Sequence, residues 1–241
     1  MPLPEIDSRS ALFLDFDGTL VDIAAQPGAV VVEPGLIDTL RHTCERLRGA
    51  LALISGRPIA DLDRLLHPLV LPAAGIHGAE RRLANGRLVR KTPPDLDLVL
   101  AAADRLVAAE SRLLVERKGF AVALHYRAAP QCEAACVDAM SDAAEHSGGL
   151  HVLRGKMVVE VLPADIGKGY AALAFMQEEP FAGRSALFVG DDTTDEAAFV
   201  ALQAHGGLGV KVGAGASAAA HRIESASAVR RWLSAIATAE V

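Results

Sequence analysis

Short apolar runs alternate with helical patterns along the first third of the chain. The runs at 11–15, 51–55 and 70–75 have the length of strands, whereas 34–47 and 58–66 carry apolar residues at helical spacing. Such alternation is typical of βαβ units that surround a buried parallel sheet. The beginning of the chain is therefore predicted to form an α/β core.

The pattern changes in the middle of the chain. Asn85-Gly86 is a hairpin turn signal, which predicts paired strands at 79–82 and 88–91. The elements predicted after it are a helix at 95–110, strands at 112–117 and 120–126, a helix at 130–146, and strands at 151–154 and 157–162. Helices mixed with adjacent hairpins indicate a small α+β unit with an antiparallel sheet.

The first pattern returns after Pro163. The predicted elements are helices at 168–177, 193–203 and 229–239, and strands at 186–190 and 208–212, the last strand of the chain. We therefore predict an α/β fold with a Rossmann-like parallel-sheet core. This core, the predicted catalytic domain, is formed by residues 1–91 and 164–241, and residues 92–163 form an inserted α+β cap domain.

Composition and charge narrow the classes of function. The 241 residues are 51% hydrophobic, and 24 basic against 30 acidic side chains give a net charge of −6. This balance argues against sequence-independent nucleic-acid binding, which requires a basic face. Three cysteines cannot form a disulfide framework, and neither a signal peptide nor a membrane-length apolar run is evident. We expect a cytoplasmic monomer whose partner is a small molecule.

The motif DFDGT (15–19) follows the first predicted strand directly. Period-two alternation aims Asp15 and Asp17 to the same side, and Gly18 permits a tight turn whose amides can surround a phosphate. Two adjacent carboxylates repel each other unless a cation lies between them or one holds a proton. Both conditions suit phosphoryl transfer; the alternative is that Asp17-Gly18 is an ordinary turn.

Two further strand ends carry polar chemistry. Asp191, Asp192 and Asp195 follow the predicted strand at 186–190, and the segment Ser55–Arg57 follows the strand at 51–55. Ligands of open parallel sheets bind at the carboxyl ends of the strands. Asp192 and Asp195 also suit the N-terminus of a helix, which explains one or two of the acids and not all of them.

These motifs, with Lys168 between the insert and the last acidic motif, resemble those of the haloacid dehalogenase superfamily of phosphohydrolases. The resemblance implies that Asp15 is a nucleophile forming an aspartyl-phosphate, and that Asp17 is the general acid/base. It implies phosphate binding by Lys168, a catalytic residue, and by the segments that include Thr19, Ser55 and Gly56. The implied cofactor is Mg²⁺, with the metal ligands Asp15, Asp17, Asp191 and Asp192, and with Asp195 as further acidic support.

The predicted hairpins of the insert have one apolar and one charged face. Met157, Val159 and Val161 are predicted to pack on the insert helices. The open face carries Glu116, Lys118, His125, Arg127, Lys156 and Glu160. A solvated charged face is one interpretation. Recognition of sugar hydroxyls is the other, because carboxylates accept and basic groups donate hydrogen bonds.

The same segments resemble the trehalose-6-phosphate phosphatase family through the patterns E-x-K…HYR, GK-x-V-E-V, GIHG (75–78) and GDDxTDE. The resemblance implies hydrolysis of trehalose 6-phosphate in trehalose biosynthesis. It also implies that Glu116, Lys118, Arg127, Lys156 and Glu160 contact the sugar. Arg57 and His77 either line the substrate cleft or fix a loop. The alternatives are a phosphatase for another sugar phosphate, such as that of sucrose, mannosylglycerate or a hexose, and a catalytically silent sugar-phosphate sensor.

Overall fold

The computed structural model describes residues 3–24, 29–155 and 157–238. Contacts divide the chain into two compact units, residues 1–90 with 167–241, and residues 91–166. The assignment of these units as a catalytic domain and a cap, with boundaries at 91/92 and 163/164, stays a prediction.

The elements of the described residues follow one another in the α/β and α+β order that the sequence predicts. The strands are β1 (Ser10–Leu14), β2 (Leu51–Ile54), β3 (Ala73–Gly75), β4 (Glu80–Arg82), β5 (Leu88–Arg90), β6 (Leu114–Arg117), β7 (Val122–His125), β8 (Leu150–Gly155), β9 (Val158–Pro163), β10 (Ser185–Gly190), β11 (Leu208–Val212) and β12 (His221–Ile223). The helices are α1 (Leu36–Arg46), α2 (Ile59–Leu66), α3 (Asp97–Ala109), α4 (Glu133–Ser147), α5 (Lys168–Phe175), α6 (Thr193–Gln203) and α7 (Ala226–Thr238).

The first unit is built on an eight-stranded sheet in the order β12-β11-β10-β1-β2-β3-β4-β5. Strands β1, β2, β3, β10, β11 and β12 are parallel, and the hairpin β4–β5 adds two antiparallel strands at one edge. Strand β1 lies between β10 and β2, where the strand order reverses, and ligands of doubly wound sheets bind at such a switch point. The carboxyl end of β1 is therefore the expected ligand-binding position of this sheet.

Aromatic packing holds the central strand in place. Phe13 of β1 stacks on Phe181 with ring centroids 5.5 Å apart and lies 6.1 Å from the ring of Phe175 in α5. All three rings are fully buried, and burial of one such side chain stabilises the fold by about 1.5–3 kcal/mol. Strand β1 and helix α5, which both carry predicted site residues, are thus fixed to one core.

The second unit is a four-stranded antiparallel sheet in the order β6-β7-β9-β8. Helices α3 and α4 pack on each other and on this sheet. Their apolar residues join Val122 and Leu124 of β7 and Val159 and Val161 of β9 in a separate core. The predicted α+β unit is therefore observed, with the alternation that buries one face of each strand.

Three sequence predictions about the elements are wrong. Met157 is 39% exposed, because it lies in the β8–β9 turn with φ +64° and does not continue the packed face of β9. The third strand begins at Ala73, not at residue 70: Val70 is 64% exposed and Pro72 has no amide hydrogen for a ladder. Strand β12 follows β11, which we predicted to be the last strand. The prediction missed β12 because its three residues show no apolar alternation.

Among the described residues, no helix combines the length and the apolar character required to cross a bilayer.

Candidate active site

A buried ion cluster lies at the carboxyl ends of β1 and β10. Asp15 follows β1 directly and is 3% exposed, and Lys168 is the first residue of α5. The Lys168 Nζ donates to Asp15 Oδ1 at 2.7 Å and to Asp195 Oδ1 of α6 at 2.7 Å. One ammonium group thus joins residues that are 153 and 27 positions away in the sequence.

Thr19 and Asp191 complete this cluster. The Thr19 hydroxyl is within hydrogen-bond distance of Asp15 Oδ2 at 3.2 Å and of Asp191 Oδ1 at 3.4 Å. Asp15, Asp191 and Asp195 each offer one carboxylate oxygen, and these three oxygens lie within 4.8 Å of one another. An arrangement of hard oxygen donors at this spacing fits a divalent cation such as Mg²⁺.

The electrostatics of the cluster agree with this donor set. Burial raises the pKa of Asp191 to about 6, and the neighbouring charge of Asp195 adds to the shift. Burial also raises the pKa of Asp15, against the opposing effect of Lys168. Burial would lower the pKa of Lys168, but Asp15 and Asp195 outweigh it and hold that pKa above its usual value. Three acids share one ammonium, so the cluster keeps an excess of negative charge that a cation would neutralise.

Asp17 points to a different partner. The Arg57 guanidinium donates from Nε to Asp17 Oδ2 at 2.6 Å and from Nη2 to Asp17 Oδ1 at 2.7 Å. The hydrogen bonds with Asp17 raise the pKa of Arg57. A two-point contact of this kind fixes the plane of the carboxylate as well as its position. Arg57 therefore orients the second aspartate of the first motif.

The segment 55–57 is held by the loop at 75–78. The backbone amide of His77 donates to the Ser55 carbonyl at 3.0 Å, and Ile76 donates to the Arg57 carbonyl at 3.0 Å. The His77 ring is buried, and a Cβ on Gly56 would lie 2.9 Å from it, so only glycine fits there without displacement. His77 therefore packs against the segment 55–57. Whether it also lines the substrate cleft stays a prediction.

In the second unit, three charged side chains of the predicted sugar-binding face lie together with His125. Lys118 Nζ donates to Glu160 Oε1 at 3.1 Å and lies 3.9 Å from Glu116 Oε2. His125 Nε2 is 3.1 Å from the same Glu116 oxygen, and this hydrogen bond, together with the Lys118 charge, lowers the pKa of Glu116 against the effect of burial. Arg127 is exposed in the turn that follows β7, and Lys156 lies outside the described residues.

The sequence profile of the trehalose-phosphatase family matches residues 13–229. The trehalose-6-phosphate phosphatase of Escherichia coli (strain K12) is 41% identical over 238 residues, which cover 98% of this chain and 90% of that protein. The chain belongs to the trehalose-phosphatase family. The family resemblance drawn from the sequence motifs is thereby confirmed.

Solved structures share the fold of this trehalose-phosphatase family member. A trehalose-6-phosphate phosphatase related protein is 29% identical with a TM-score of 0.73, over 94% of this chain and 96% of that one. A phosphatase of the haloalkanoate (HAD) superfamily from Bacteroides thetaiotaomicron is 15% identical with a TM-score of 0.65, over 98% of each chain. The second likeness shows the fold alone, and the predicted haloacid dehalogenase-like fold class is confirmed.

The carboxylate cluster of this family member differs from the predicted ligand set in two residues. Asp17 is engaged with Arg57, and Asp192 is the N-cap of α6, where its Oδ1 accepts from the Thr193 amide at 2.7 Å. The third carboxylate of the cluster is that of Asp195. Its Oδ2 accepts from the Asp192 amide in the capping box, and its Oδ1 accepts from Lys168. The prediction that Asp17 and Asp192 bind metal stays a prediction.

Sequence reasoning missed Lys211. Its Nζ donates to the backbone carbonyl of Asp191, although the residue lies in the apolar strand β11. A lysine inside the run LGVKV (208–212) was a signal, because a buried strand position rarely holds an unpaired charge. The missing information was the partner, which lies 20 residues away, directly after β10.

Gly18 gives a direct test of the turn in the first motif. Its φ is +78°, and a Cβ there would lie 2.2 Å from Asp191 Oδ2. We expect Gly18→Ala to lower phosphatase turnover by about 100-fold, because Asp191 must move by roughly an ångström. Steady-state phosphate release measures the effect.

Gly86→Ala is the matched control for Gly18→Ala. Gly86 has a similar φ of +83° with nothing within 4 Å of a new Cβ, so the substitution adds backbone strain without a clash. We expect it to lower stability only. Equal turnover of the two variants would contradict the role of the Gly18–Asp191 approach.

Proposed function

We propose that this chain hydrolyses trehalose 6-phosphate to trehalose and phosphate, as a step of trehalose biosynthesis. The observation that carries the proposal is the buried carboxylate of Asp15 at the switch point, held by Lys168 and Thr19. Membership of the trehalose-phosphatase family supports the choice of substrate. A monomeric, cytoplasmic enzyme is part of the same proposal.

Asp15 is the nucleophile of the first step. Its oxygens accept from Lys168 and Thr19, and of the lone pairs that remain one can attack phosphorus while another is available to a divalent cation. The attack forms an Asp15 aspartyl-phosphate and breaks the bond between phosphorus and the sugar oxygen. A covalent intermediate of this kind divides the hydrolysis of a resistant ester into two easier reactions.

Asp17 handles the protons of both steps. In the first step its carboxyl group donates a proton to the departing sugar oxygen, and one Asp17 oxygen can keep a hydrogen bond from Arg57 meanwhile. In the second step the Asp17 carboxylate accepts a proton from the water that attacks the aspartyl-phosphate, which releases phosphate and restores Asp15. The two-point contact with Arg57 orients the ionised Asp17 for the second step.

Mg²⁺ is the proposed cofactor. Asp15 and Asp191 belong both to the predicted ligand set and to the carboxylate cluster, and Asp195 supports them. When bound, the ion offsets the negative charge of the nucleophile and of the phosphoryl oxygens. The chain has a net charge of −6, so positive charge near the phosphate must come from individual side chains. Lys168 supplies such a charge next to Asp15.

Phosphate and sugar are assigned to different parts of the chain. The hydroxyl groups of Thr19 and Ser55 and the backbone at Gly56 are proposed to bind the phosphate. Arg57 and His77 are proposed either to line the substrate cleft or to fix its loop. Glu116, Lys118 and Glu160 already form one polar cluster in the second unit, which suits a ligand with many hydroxyl groups. Arg127 and Lys156 are proposed to join them in sugar binding.

A substrate panel with and without a chelator tests the function. We expect kcat/KM for trehalose 6-phosphate to exceed that for hexose 6-phosphates by at least about 100-fold, which is roughly 3 kcal/mol of transition-state discrimination. We expect EDTA to abolish turnover and added Mg²⁺ to restore it. Alanine in place of Lys118 should reduce this discrimination, and alanine in place of the exposed Arg112 should not.

Two results would replace the proposal. Comparable rates for sucrose phosphate, mannosylglycerate phosphate or a hexose phosphate would assign a different leaving group to the same chemistry. Binding of trehalose 6-phosphate without release of phosphate would instead identify a silent sensor. The presence of Asp15, Asp17, Lys168 and Asp191 together argues against the sensor, because a catalytically silent relative can lose the nucleophile.

A further inference from the structure

Lys211 is a buried cation beside the first turn of α6. Its side chain is 8% exposed, and its Nζ donates to the Asp191 carbonyl and lies 3.6 Å from Glu196 Oε1. Helix α6 packs tightly on the same face of β11 two residues earlier. A Cβ on Gly209 would lie 2.8 Å from the Phe199 ring of α6. Helix α6 thus covers the face of β11 from which Lys211 reaches its partners.

Packing alone does not account for a lysine at this position. Burial of an ammonium group costs several kcal/mol, and an apolar side chain of similar volume often replaces a buried ion pair without loss of stability. The N-terminal turn of a helix also carries partial positive charge, which opposes a neighbouring cation. The interactions with Asp191 and Glu196 offset these costs. The role of Lys211 therefore lies in binding these two groups.

The acceptors of Lys211 are themselves fixed. Glu196 Oε2 accepts from the Ala218 amide at 2.8 Å and from the Ser217 hydroxyl at 3.1 Å. The backbone just before Asp191 is also closely packed. A Cβ on Gly190 would lie 2.3 Å from the Asp195 carboxyl group, so this backbone lies against the carboxylate cluster. Lys211 therefore links the loop at 217–218 to the backbone that carries Asp191.

We propose that Lys211 is a positioning residue, which holds the Asp191 backbone so that the Asp191 carboxylate faces Asp15 for a divalent cation. The inference rests on the metal site of the proposed function. The Asp191 carboxylate already lies near Thr19 and Asp15, and its direction depends on the conformation of the strand end that Lys211 anchors. Groups that orient a metal ligand typically contribute 10–100-fold to metal affinity.

Direct metal titration of the substrate-free protein tests the inference. Mn²⁺ is the probe, and the fall of the free-ion electron paramagnetic resonance signal gives the dissociation constant. We expect Lys211→Met, which keeps the apolar stem and loses the donor, to raise this constant by about 10-fold or more. Lys211→Arg keeps a donor and should recover a large part of the affinity, which a role in packing alone would not require.

Two reference variants separate the possible failures. Asp191→Asn should weaken Mn²⁺ binding strongly, and Lys91→Met, which removes an exposed lysine from its ion pair with Asp165, should leave it unchanged. Unchanged binding by Asp191→Asn would overturn the metal site of the proposed function. Weak binding by Asp191→Asn together with wild-type affinity of Lys211→Met would overturn the positioning role alone.

Folding and turnover measurements complete the test. Circular dichroism checks that each variant is folded. If Lys211→Met is not, Lys211→Gln takes its place with the same expected loss of affinity, because its amide nitrogen is uncharged and ends one bond short of the Lys211 Nζ position. With saturating Mn²⁺, we expect Lys211→Met to recover most of its kcat with an unchanged KM for trehalose 6-phosphate. A defect in Lys211→Met that persists at saturating metal, with normal Mn²⁺ affinity, would contradict the inference.

Discussion

We expect Asp15→Asn to lower phosphate release from trehalose 6-phosphate by at least about 10⁴-fold, because an amide cannot act as the proposed nucleophile and loss of such a residue removes most of the catalysis. The variant stays folded for a structural reason. Asn has nearly the same shape, Lys168 keeps its 2.7 Å contact with Asp195, and one of three crowded negative charges disappears. Phosphate release in Mg²⁺ buffer and the circular dichroism spectrum measure the two effects.

Asp38→Asn is the matched control for this substitution. Asp38 lies in the first turn of α1, its side chain is 65% exposed, and it has no contact with the cluster described above. Wild-type turnover is expected. Substantial turnover by folded Asp15→Asn, above about 1% of wild type, would exclude Asp15 as the nucleophile, since that is far more than a lost nucleophile permits.

Lys168→Met is expected to remove both turnover and a large part of the stability. Asp15 and Asp195 are each 5% exposed or less and would lose their shared cation. Breaking a buried ion pair in this way costs about 3–5 kcal/mol. We expect a marked fall in melting temperature at pH 7.5 and loss of phosphate release at any temperature.

The stability defect of Lys168→Met depends on pH in a defined direction. Burial already raises the pKa values of Asp15 and Asp191 in the folded protein, that of Asp191 to about 6. A carboxyl group with a raised pKa in the folded state destabilises the fold increasingly as the pH rises from its unfolded value of 3.8 through its folded value. Without Lys168 this penalty grows, so the variant should be closer to wild type at pH 5 than at pH 7.5.

Lys91→Met is the control for the loss of an ion pair as such. Lys91 pairs with Asp165 at the surface, where both side chains are more than a third exposed, and such pairs contribute at most about 1 kcal/mol. Melting curves of both variants at the two pH values, recorded without metal, make the comparison. If Lys168→Met melts at the wild-type temperature at pH 7.5, Lys168 is not the cation that stabilises this cluster.

Most elements of the fold could be predicted from local patterns. The runs that became β1, β2 and β10 are short and apolar, and helix α6 has the predicted bounds because Asp192 begins it with a capping box. Predictions were wrong where the local signal is weak. Strand β12 has three residues and no alternation, and Met157 continues the pattern of β9 in the sequence although the chain turns there.

The candidate site was predicted less completely than the fold. Strand-end motifs predicted Asp15 and Asp191, which directly follow β1 and β10. Lys168, the first residue of α5, was predicted from the family resemblance and from its place between the insert and the core. The motifs were not sufficient to distinguish Asp192 from Asp195. Both suit the first turn of a helix, and only the helix rotation decides that Asp195 faces Lys168 while Asp192 caps the helix end.

Periodicity and the residues adjacent in the chain are sufficient to predict the α/β class, the order of the elements and which motifs carry carboxylates. Which charges meet depends on how the chain folds in three dimensions. Asp17 faces Arg57, one ammonium serves Asp15 and Asp195, and Lys211 anchors Asp191. These contacts join separate strands and helices, so they follow from sheet order and register, which no local pattern of apolar and polar residues contains.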